Sequence, residues 1–301
     1  MTTPLLKNSA SLQDLLQPAT RMLTDAGIPD GRREAETLIA HALSCARLDL
    51  YRAGLPSLDP DQREAFMTLI RRRARREPLQ YILGTQEFWG LEFRVTTDTL
   101  IPRPETELLI EAVLEQWGRT ALPITMVDLC TGTGCLAVTF ATLYPTARIL
   151  ATDLSPAALD VARLNAFRHG MTGRIEFLEG DLMEPLAKPN GDRFEICPHS
   201  VDLVLSNPPY IPTGELSTLQ PEVGLYEPRL ALDGGRDGLD YYGRILPRAF
   251  DFLRSGGRLF LEVGIRQADP VCMMARRTGW RVDRVKKDLS GIDRVVVLEK
   301  K

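Results

Sequence analysis

Asn207-Pro208-Pro209-Tyr210 follows the apolar run at 201–206, so acceptor groups and an aromatic ring stand where a buried strand comes to the surface. Amides and exocyclic base amines delocalise their lone pairs into a π system and are poor nucleophiles at neutral pH. Two fixed acceptors, here the Asn207 side-chain oxygen and the Pro208 carbonyl, would hold both N–H bonds of such a nitrogen and aim its lone pair at an electrophile. Tyr210 adds an aromatic face, and the two prolines restrict φ so that the acceptors are in place before a substrate arrives. Asn207, Pro208 and Tyr210 are therefore the expected catalytic residues, and Pro209 completes the expected substrate-binding set. Alone, the tetrapeptide reads more readily as a proline-rich turn after a strand. The rest of the chain reverses that reading.

Asp128-Leu129-Cys130-Thr131-Gly132-Thr133-Gly134 closes one strand and opens a helix. The glycines allow a tight turn and close approach of a ligand, and the helix N-terminus offers free N–H groups. A third glycine of the dinucleotide fingerprint is missing, since Ala137 occupies that position. Asp153 ends the second strand, where a carboxylate can accept both ribose hydroxyls, and Asp181 follows the third, placed for an adenine amino group. Any one of these acids alone reads as a helix N-cap. Together with Asn207 at the fourth strand end, Asp128, Asp153 and Asp181 converge on one edge of a doubly wound sheet, where ligands of such sheets bind. Clustered carboxylates oppose a pyrophosphate and suit a nucleoside carrying a positive sulfonium. The expected ligand is S-adenosylmethionine, with S-adenosyl-L-homocysteine as product.

These loops need a scaffold, and the periodicity supplies one. Residues 1–84 read as helices: Leu12, Leu15, Leu16, Ala19, Met22 and Leu23 share a face, as do Ala35, Leu38, Ile39, Ala42 and Leu43, and Asp59-Pro60 opens a third helix through Arg76. A small helical bundle follows. Arg71, Arg72, Arg73, Arg75 and Arg76 are expected to form a solvated basic face, with a surface for an acidic partner as the other reading. Residues 85–101 read as a β-hairpin linker, and 102–301 as the third segment. There, strand runs at 124–129, 148–152, 175–178, 201–205 and 258–263 alternate with helices at 156–168, 241–253 and 269–278. The expected fold class is α/β, a doubly wound Rossmann-like domain with a parallel sheet, behind a small N-terminal helical bundle. Runs at 280–285 and 294–298 are candidates for closing strands, with antiparallel pairing allowed. The stretch 187–200 reads as a variable surface loop.

Composition sets limits. The chain has 301 residues, 44% of them hydrophobic, and a formal net charge of −3. Stable, sequence-blind nucleic-acid binding needs a broad positive field and is not expected. The start lacks a basic region followed by an apolar one, and no stretch approaches a membrane span, so a cytoplasmic protein without membrane contact is expected. Five cysteines in no Cys-x-x-Cys spacing argue against a disulfide framework and a zinc site, and Cys197 with His199 makes no metal site. No metal is expected.

With these motifs in hand, the chain resembles the N5-glutamine methyltransferases that modify the Gly-Gly-Gln loop of class I peptide-chain release factors. The likeness runs through Glu77-Pro78-Leu79-Gln80-Tyr81, Ile101-Pro102-Arg103-Pro104-Glu105-Thr106-Glu107, the loop at 128–134, Asn207-Pro208-Pro209-Tyr210, Glu227-Pro228, Gly234-Gly235-Arg236-Asp237-Gly238-Leu239 and Asp288-Leu289-Ser290-Gly291. It implies that Cys130, Thr131, Gly132, Thr133, Gly134 and Asp153 hold the methyl donor, that Leu182 lies by its adenine, and that 207–210 hold the target glutamine. It further implies that the helical domain and hairpin grip a release factor, that the enzyme acts as a monomer, and that its role is in translation termination. Cys130 and Cys135 depart from the small residues usual in this loop and look like the related methyltransferase of ribosomal protein L3, the alternative reading. Pro104-Glu105-Thr106 and Gly234-Gly235 favour the release-factor branch. An adenine-N6 DNA methyltransferase would share the Asn207 chemistry but needs a basic DNA-reading surface. A non-catalytic RNA-bound scaffold would leave the acids and Asn207 without a role.

Overall fold

The computed structural model describes residues 12–52, 58–118, 124–187 and 196–301. The chain start, and 188–195 of the stretch read as a variable loop, lie outside the described residues. Contacts divide the chain into two units: residues 1–84 with Pro221–Tyr226, and Thr85–Gln220 with Glu227–Lys301.

The first unit contains helices α1 (Leu12–Asp25), α2 (Gly31–Ala42), α3 (Pro60–Ala74) and α4 (Leu79–Leu83), plus a short helix taken from far along the chain, Pro221–Tyr226. Leu16, Ala19 and Leu23 of α1 pack with Leu38 and Ile39 of α2 and with Phe66 and Ile70 of α3. The α3 start is a reciprocal cap: Asp59 Oδ1 accepts the Gln62 N–H at 2.8 Å, and Gln62 Oε1 accepts the Asp59 N–H at 3.1 Å. Its end falls at Ala74, before Arg76, because Arg76 takes a left-handed φ of 67° just ahead of Pro78.

The arginine run is only partly a solvated face: Arg71 and Arg75 are exposed, Arg72 and Arg76 half-buried, and Arg73 buried. Arg73 is only 5% exposed, and its guanidinium donates to Glu34 at 2.5 Å and Glu222 at 2.9 Å. Arg76 donates to both Glu222 oxygens at 2.6 Å, Arg72 to Glu77 at 2.5 and 2.9 Å, and Arg71 to Glu64 at 2.8 Å. The Arg75 carbonyl accepts the Tyr226 hydroxyl at 2.8 Å. Arg71, Arg72, Arg73 and Arg76 bind carboxylates of their own chain, so the expectation of a solvated face holds at Arg71 and Arg75 and fails at Arg73. Removing one member of a buried charge cluster strands its partners, so Arg73→Ala should cost about 3 kcal/mol of unfolding free energy. Urea denaturation would measure it. Arg71→Ala, at a pair exposed on both sides, should cost under about 1 kcal/mol.

The second unit begins with a hairpin, β1 (Thr85–Phe88) and β2 (Leu91–Arg94), turned by Trp89 and Gly90. Asn165, fully buried, pins it: the side chain accepts the Arg94 N–H at 2.7 Å and donates to the Arg94 carbonyl at 3.0 Å and the Thr133 carbonyl at 2.9 Å. Helix α5 (Glu107–Trp117) follows, an element the sequence reading did not separate.

Next come β3 (Thr125–Leu129), α6 (Cys135–Leu143), β4 (Arg148–Asp153), α7 (Pro156–Arg168), β5 (Ile175–Glu179) and β6 (Val201–Ser206). Past Pro221–Tyr226, which is α8, the unit continues with α9 (Asp240–Phe252), β7 (Leu253–Glu262), α10 (Ala268–Arg277), β8 (Arg281–Lys287) and β9 (Asp293–Glu299). The seven strands order as β5-β4-β3-β6-β7-β9-β8. Pairing is parallel from β5 to β7, whereas β9 runs antiparallel to both neighbours. The α/β class and mostly parallel sheet agree with the sequence reading, and the closing strands take the antiparallel option with the last wedged between the two before it. No described helix is long and apolar enough to cross a membrane.

Two cores flank the sheet. Val127, Leu150, Val204 and Leu259 face one side with Tyr242, Ile245 and Val271, while Met126, Ile149, Leu203 and Phe260 face the other with Ile110, Val113 and Phe140. Alternate residues of each central strand thus bury on opposite faces, as a sheet covered by helices on both sides requires.

Candidate active site

After β3 the chain moves to β4 and β5 on one side, then returns to place β6 on the other. This reversal opens a crevice at the carboxyl ends of β3 and β6. Leu129 is aligned with Thr152 on one neighbour and Ser206 on the other, and Thr152 with Leu178. Cys130, Asp153 and Asn207 therefore leave the sheet from one row. A cavity at this edge is lined by Cys130, Thr131, Gly132, Thr133, Asp153, Asp181, Leu182, Asn207 and Pro209, among others.

Asp128, Gly134, Pro208 and Tyr210 are not in that lining. Asp128 sits inside β3, 2% exposed, beneath the loop. Its Oδ2 accepts the Thr131 hydroxyl at 2.6 Å, and burial pushes its carboxyl up to about 7 against bonds from Thr131 and the Ala137 amide. Asp128 thus holds the Thr131 hydroxyl and shapes the loop from beneath. Gly134 has φ 76°, and a Cβ there would stand 3.0 Å from the Ala162 Cβ of α7, so the glycine lets loop and helix meet. Gly132, φ 53°, has open space where a Cβ would be. Cys130 also takes a left-handed φ, 59°, rare for a residue with a Cβ.

Asp153 is doubly held: Oδ2 accepts the Gly132 N–H and Oδ1 the Ser155 N–H, each at 2.9 Å. Burial raises its pKa, opposed by the amides of Ser155 and Gly132. One carboxylate thus fixes the glycine loop and the start of α7. Asp181 pairs with Arg244, whose guanidinium stacks 5.5 Å over the Tyr241 ring. Leu182, 7% exposed, holds a left-handed φ of 49° beside it.

Asn207 is oriented by a chain of side chains that includes Glu262, a residue absent from the sequence reading. Its Nδ2 donates to Thr106 Oγ1 at 3.0 Å, and Thr106 Oγ1 donates to Glu262 Oε2 at 2.7 Å. Glu262 Oε1 accepts the Tyr210 hydroxyl at 3.3 Å. No described residue donates to Asn207 Oδ1, which is left to the cavity. Tyr210 lies just behind the cavity wall, its pKa raised first by burial and then by the charge of Glu262.

The Asn207 loop is clasped from outside by glycines. A Cβ on Gly234 would lie 2.7 Å from Tyr210 Cα, one on Gly238 2.3 Å from the Tyr210 carbonyl oxygen. That same carbonyl accepts Gln267 Nε2 at 2.8 Å. Buried Glu227 accepts the Arg103 guanidinium at 2.5 Å at the cavity rim. Pro102, Arg103, Thr106 and Pro228 line the cavity, while the 234–239 segment packs against the backbone of the Asn207 loop.

Comparison with known proteins accords with this arrangement. The PrmC N-terminal domain family matches residues 14–84, and the methyltransferase small domain family matches 104–220. A release factor glutamine methyltransferase of Geobacter sulfurreducens is 46% identical over 91% of each chain. One of Cereibacter sphaeroides is also 46% identical, over 94% of this chain and 96% of the relative. A solved methyltransferase structure from Pyrococcus furiosus superposes with a TM-score of 0.53, covering 76% of this chain and 98% of that one at 17% identity, a likeness of fold. With full-length identity at this level, the chain belongs to the release factor glutamine methyltransferase family.

Proposed function

We propose that this chain transfers a methyl group from S-adenosylmethionine to the side-chain amide nitrogen, N5, of the glutamine in the Gly-Gly-Gln loop of class I release factors. The observation that carries the reading is the Asn207 amide, held through Nδ2 with Oδ1 left to the cavity that Asp153 and the glycine loop also line.

The residues present fit the donor. Gly132 leaves open the space that a Cβ would fill, Asp153 lines the cavity, and the buried carboxylates, pushed up by desolvation, would be relieved by a cation. The donor's sulfonium supplies an electrophilic methyl when bound. Cys130, Thr131, Gly132 and Thr133 would hold the donor, Asp153 would take the ribose hydroxyls, and Asp181 with Leu182 would border the adenine. Asn207 Oδ1 and the Pro208 carbonyl accept the two N–H bonds of the substrate amide, which turns the nitrogen lone pair toward the methyl group. Pro209 lines the wall beside it, and Tyr210 reaches Glu262 behind Thr106. The helical unit is assigned to grip the release factor. The enzyme would work as a cytoplasmic monomer in translation termination, without stable nucleic-acid binding.

Incubation with labelled donor and purified release factor, followed by mass spectrometry, tests the reading. Label on the Gly-Gly-Gln glutamine is expected, and none on a factor with that glutamine replaced. Label on ribosomal protein L3, on DNA or on another release-factor residue would overturn the substrate assignment.

A further inference from the structure

Glu262 ends β7 in an otherwise apolar run, Leu259-Phe260-Leu261-Glu262-Val263, and is 1% exposed. A buried carboxylate is costly unless its bonds serve a purpose. No described arginine or lysine forms an ion pair with it. Its side-chain partners are the hydroxyls of Thr106 at 2.7 Å and Tyr210 at 3.3 Å. Both are donors, so an ionised Glu262 consumes both protons.

The consequence reaches Asn207. A threonine hydroxyl has one proton and two lone pairs. Once Thr106 has given its proton to Glu262, its oxygen can only accept, and the Asn207 side chain must turn its NH2 toward it. The amide oxygen then faces the cavity. We propose that Glu262 is a positioning residue: acting through Thr106, it selects the Asn207 amide orientation in which an acceptor, not a donor, meets the substrate nitrogen. This rests on the proposed role of Asn207, but the orientation itself can be read without any substrate.

Protonation of Glu262 removes the selection. It could then donate to Thr106, freeing the Thr106 proton for Asn207 Oδ1, and the amide would turn its N–H groups outward against those of the substrate. The groups facing Glu262 are Tyr210 from the loop after β6, Glu105 and Thr106 ahead of α5, Arg294 of β9, Tyr242 of α9 and Cys135 of α6. Burial above all places the Glu262 carboxyl at about 7, with the hydroxyl bonds and Arg294 pulling down and Glu105 pushing up. Since the ionised form is the selecting one, transfer should rise with pH through about 7.

The test compares full-length wild type with Glu262→Gln, Thr106→Val and Thr106→Ser. Single-turnover rates across pH, calorimetric affinity for S-adenosylhomocysteine, and the NMR signals of the Asn207 side-chain NH2 are measured together. Thr106→Val should lose on the order of 10²-fold in rate, since a misdirected contact costs about that much, with product affinity changed less than about twofold, whereas Glu262→Gln, whose carboxamide oxygen can still accept the Thr106 proton, should keep transfer and lose its pH dependence. The rise near neutral pH should vanish in Glu262→Gln, and Thr106→Ser should recover most of the rate. In wild type the Asn207 NH2 signals should titrate with Glu262, and in Glu262→Gln they should not. Asn207 signals that ignore pH in wild type, or a Glu262→Gln variant with the wild-type pH profile, would overturn the proposal. Absence of transfer by wild type to any release factor would instead count against the function, and the NMR titration would still decide the positioning.

Discussion

Asn207→Ala should lower the single-turnover rate of methyl transfer by on the order of 10² to 10³, the usual cost of one preorganised polar contact. Affinity for the donor should change by less than about tenfold, because donor contacts are assigned chiefly to the glycine loop and Asp153. The hydrogen bonds make a second substitution informative. Asn207→Asp keeps an oxygen toward the cavity but places a second carboxylate against Thr106, whose single proton Glu262 already takes. It should therefore be nearly as slow as the alanine variant, although it retains an acceptor. Rapid-quench measurement with saturating donor and release factor decides this. A near-wild-type rate for Asn207→Ala would remove the side chain from the acceptor site.

What the sequence displayed and what it hid divide along chain distance. The loop at 128–134 and the tetrapeptide at 207–210 are local, and their position after apolar runs is enough to put them at strand ends. Thr106 and Glu262 stand 156 positions apart, and no local pattern announces that they meet. A signal did exist: Glu262 is an acid inside a run otherwise fit for a buried strand, and an unexplained buried charge is a reason to look for a site. The arginine run was misread at Arg73 for a similar reason. Arg73 falls three positions after Ile70 and seven after Phe66, both fully buried, so helical spacing puts it on the inward face of α3 while its neighbours point outward. Charge density suggested solvent, whereas periodicity pointed to a buried partner, and periodicity was the better guide. Its partner Glu222 could not be foreseen, because Pro221–Tyr226 joins the helical unit from far along the chain. Asp128 was placed at the ligand on the strength of its position at a strand end. It lies within β3, one residue before the strand ends, and the loop begins its turn only at Cys130.

Asp153→Ala is the substitution expected to weaken donor binding most. The carboxylate is assigned two ribose hydroxyls, and hydrogen bonds to a charged group are each worth roughly 1.5–3 kcal/mol. Their loss corresponds to about 10²- to 10⁴-fold in affinity. The structure adds a second cost, since the same carboxylate holds the amides of Gly132 and Ser155. Without it those N–H groups lose their acceptor and the glycine turn loses its anchor to β4, so the ligand-free protein should also be less stable by about 1–3 kcal/mol. Asp153→Asn should be intermediate on both counts: its one oxygen can serve either amide, while its NH2 opposes the other. Calorimetric titration with S-adenosylhomocysteine and urea denaturation of the ligand-free proteins separate the two costs. Wild-type affinity in both variants would exclude Asp153 from the donor site, whereas lost affinity at wild-type stability would show that the carboxylate serves the ligand and not the loop.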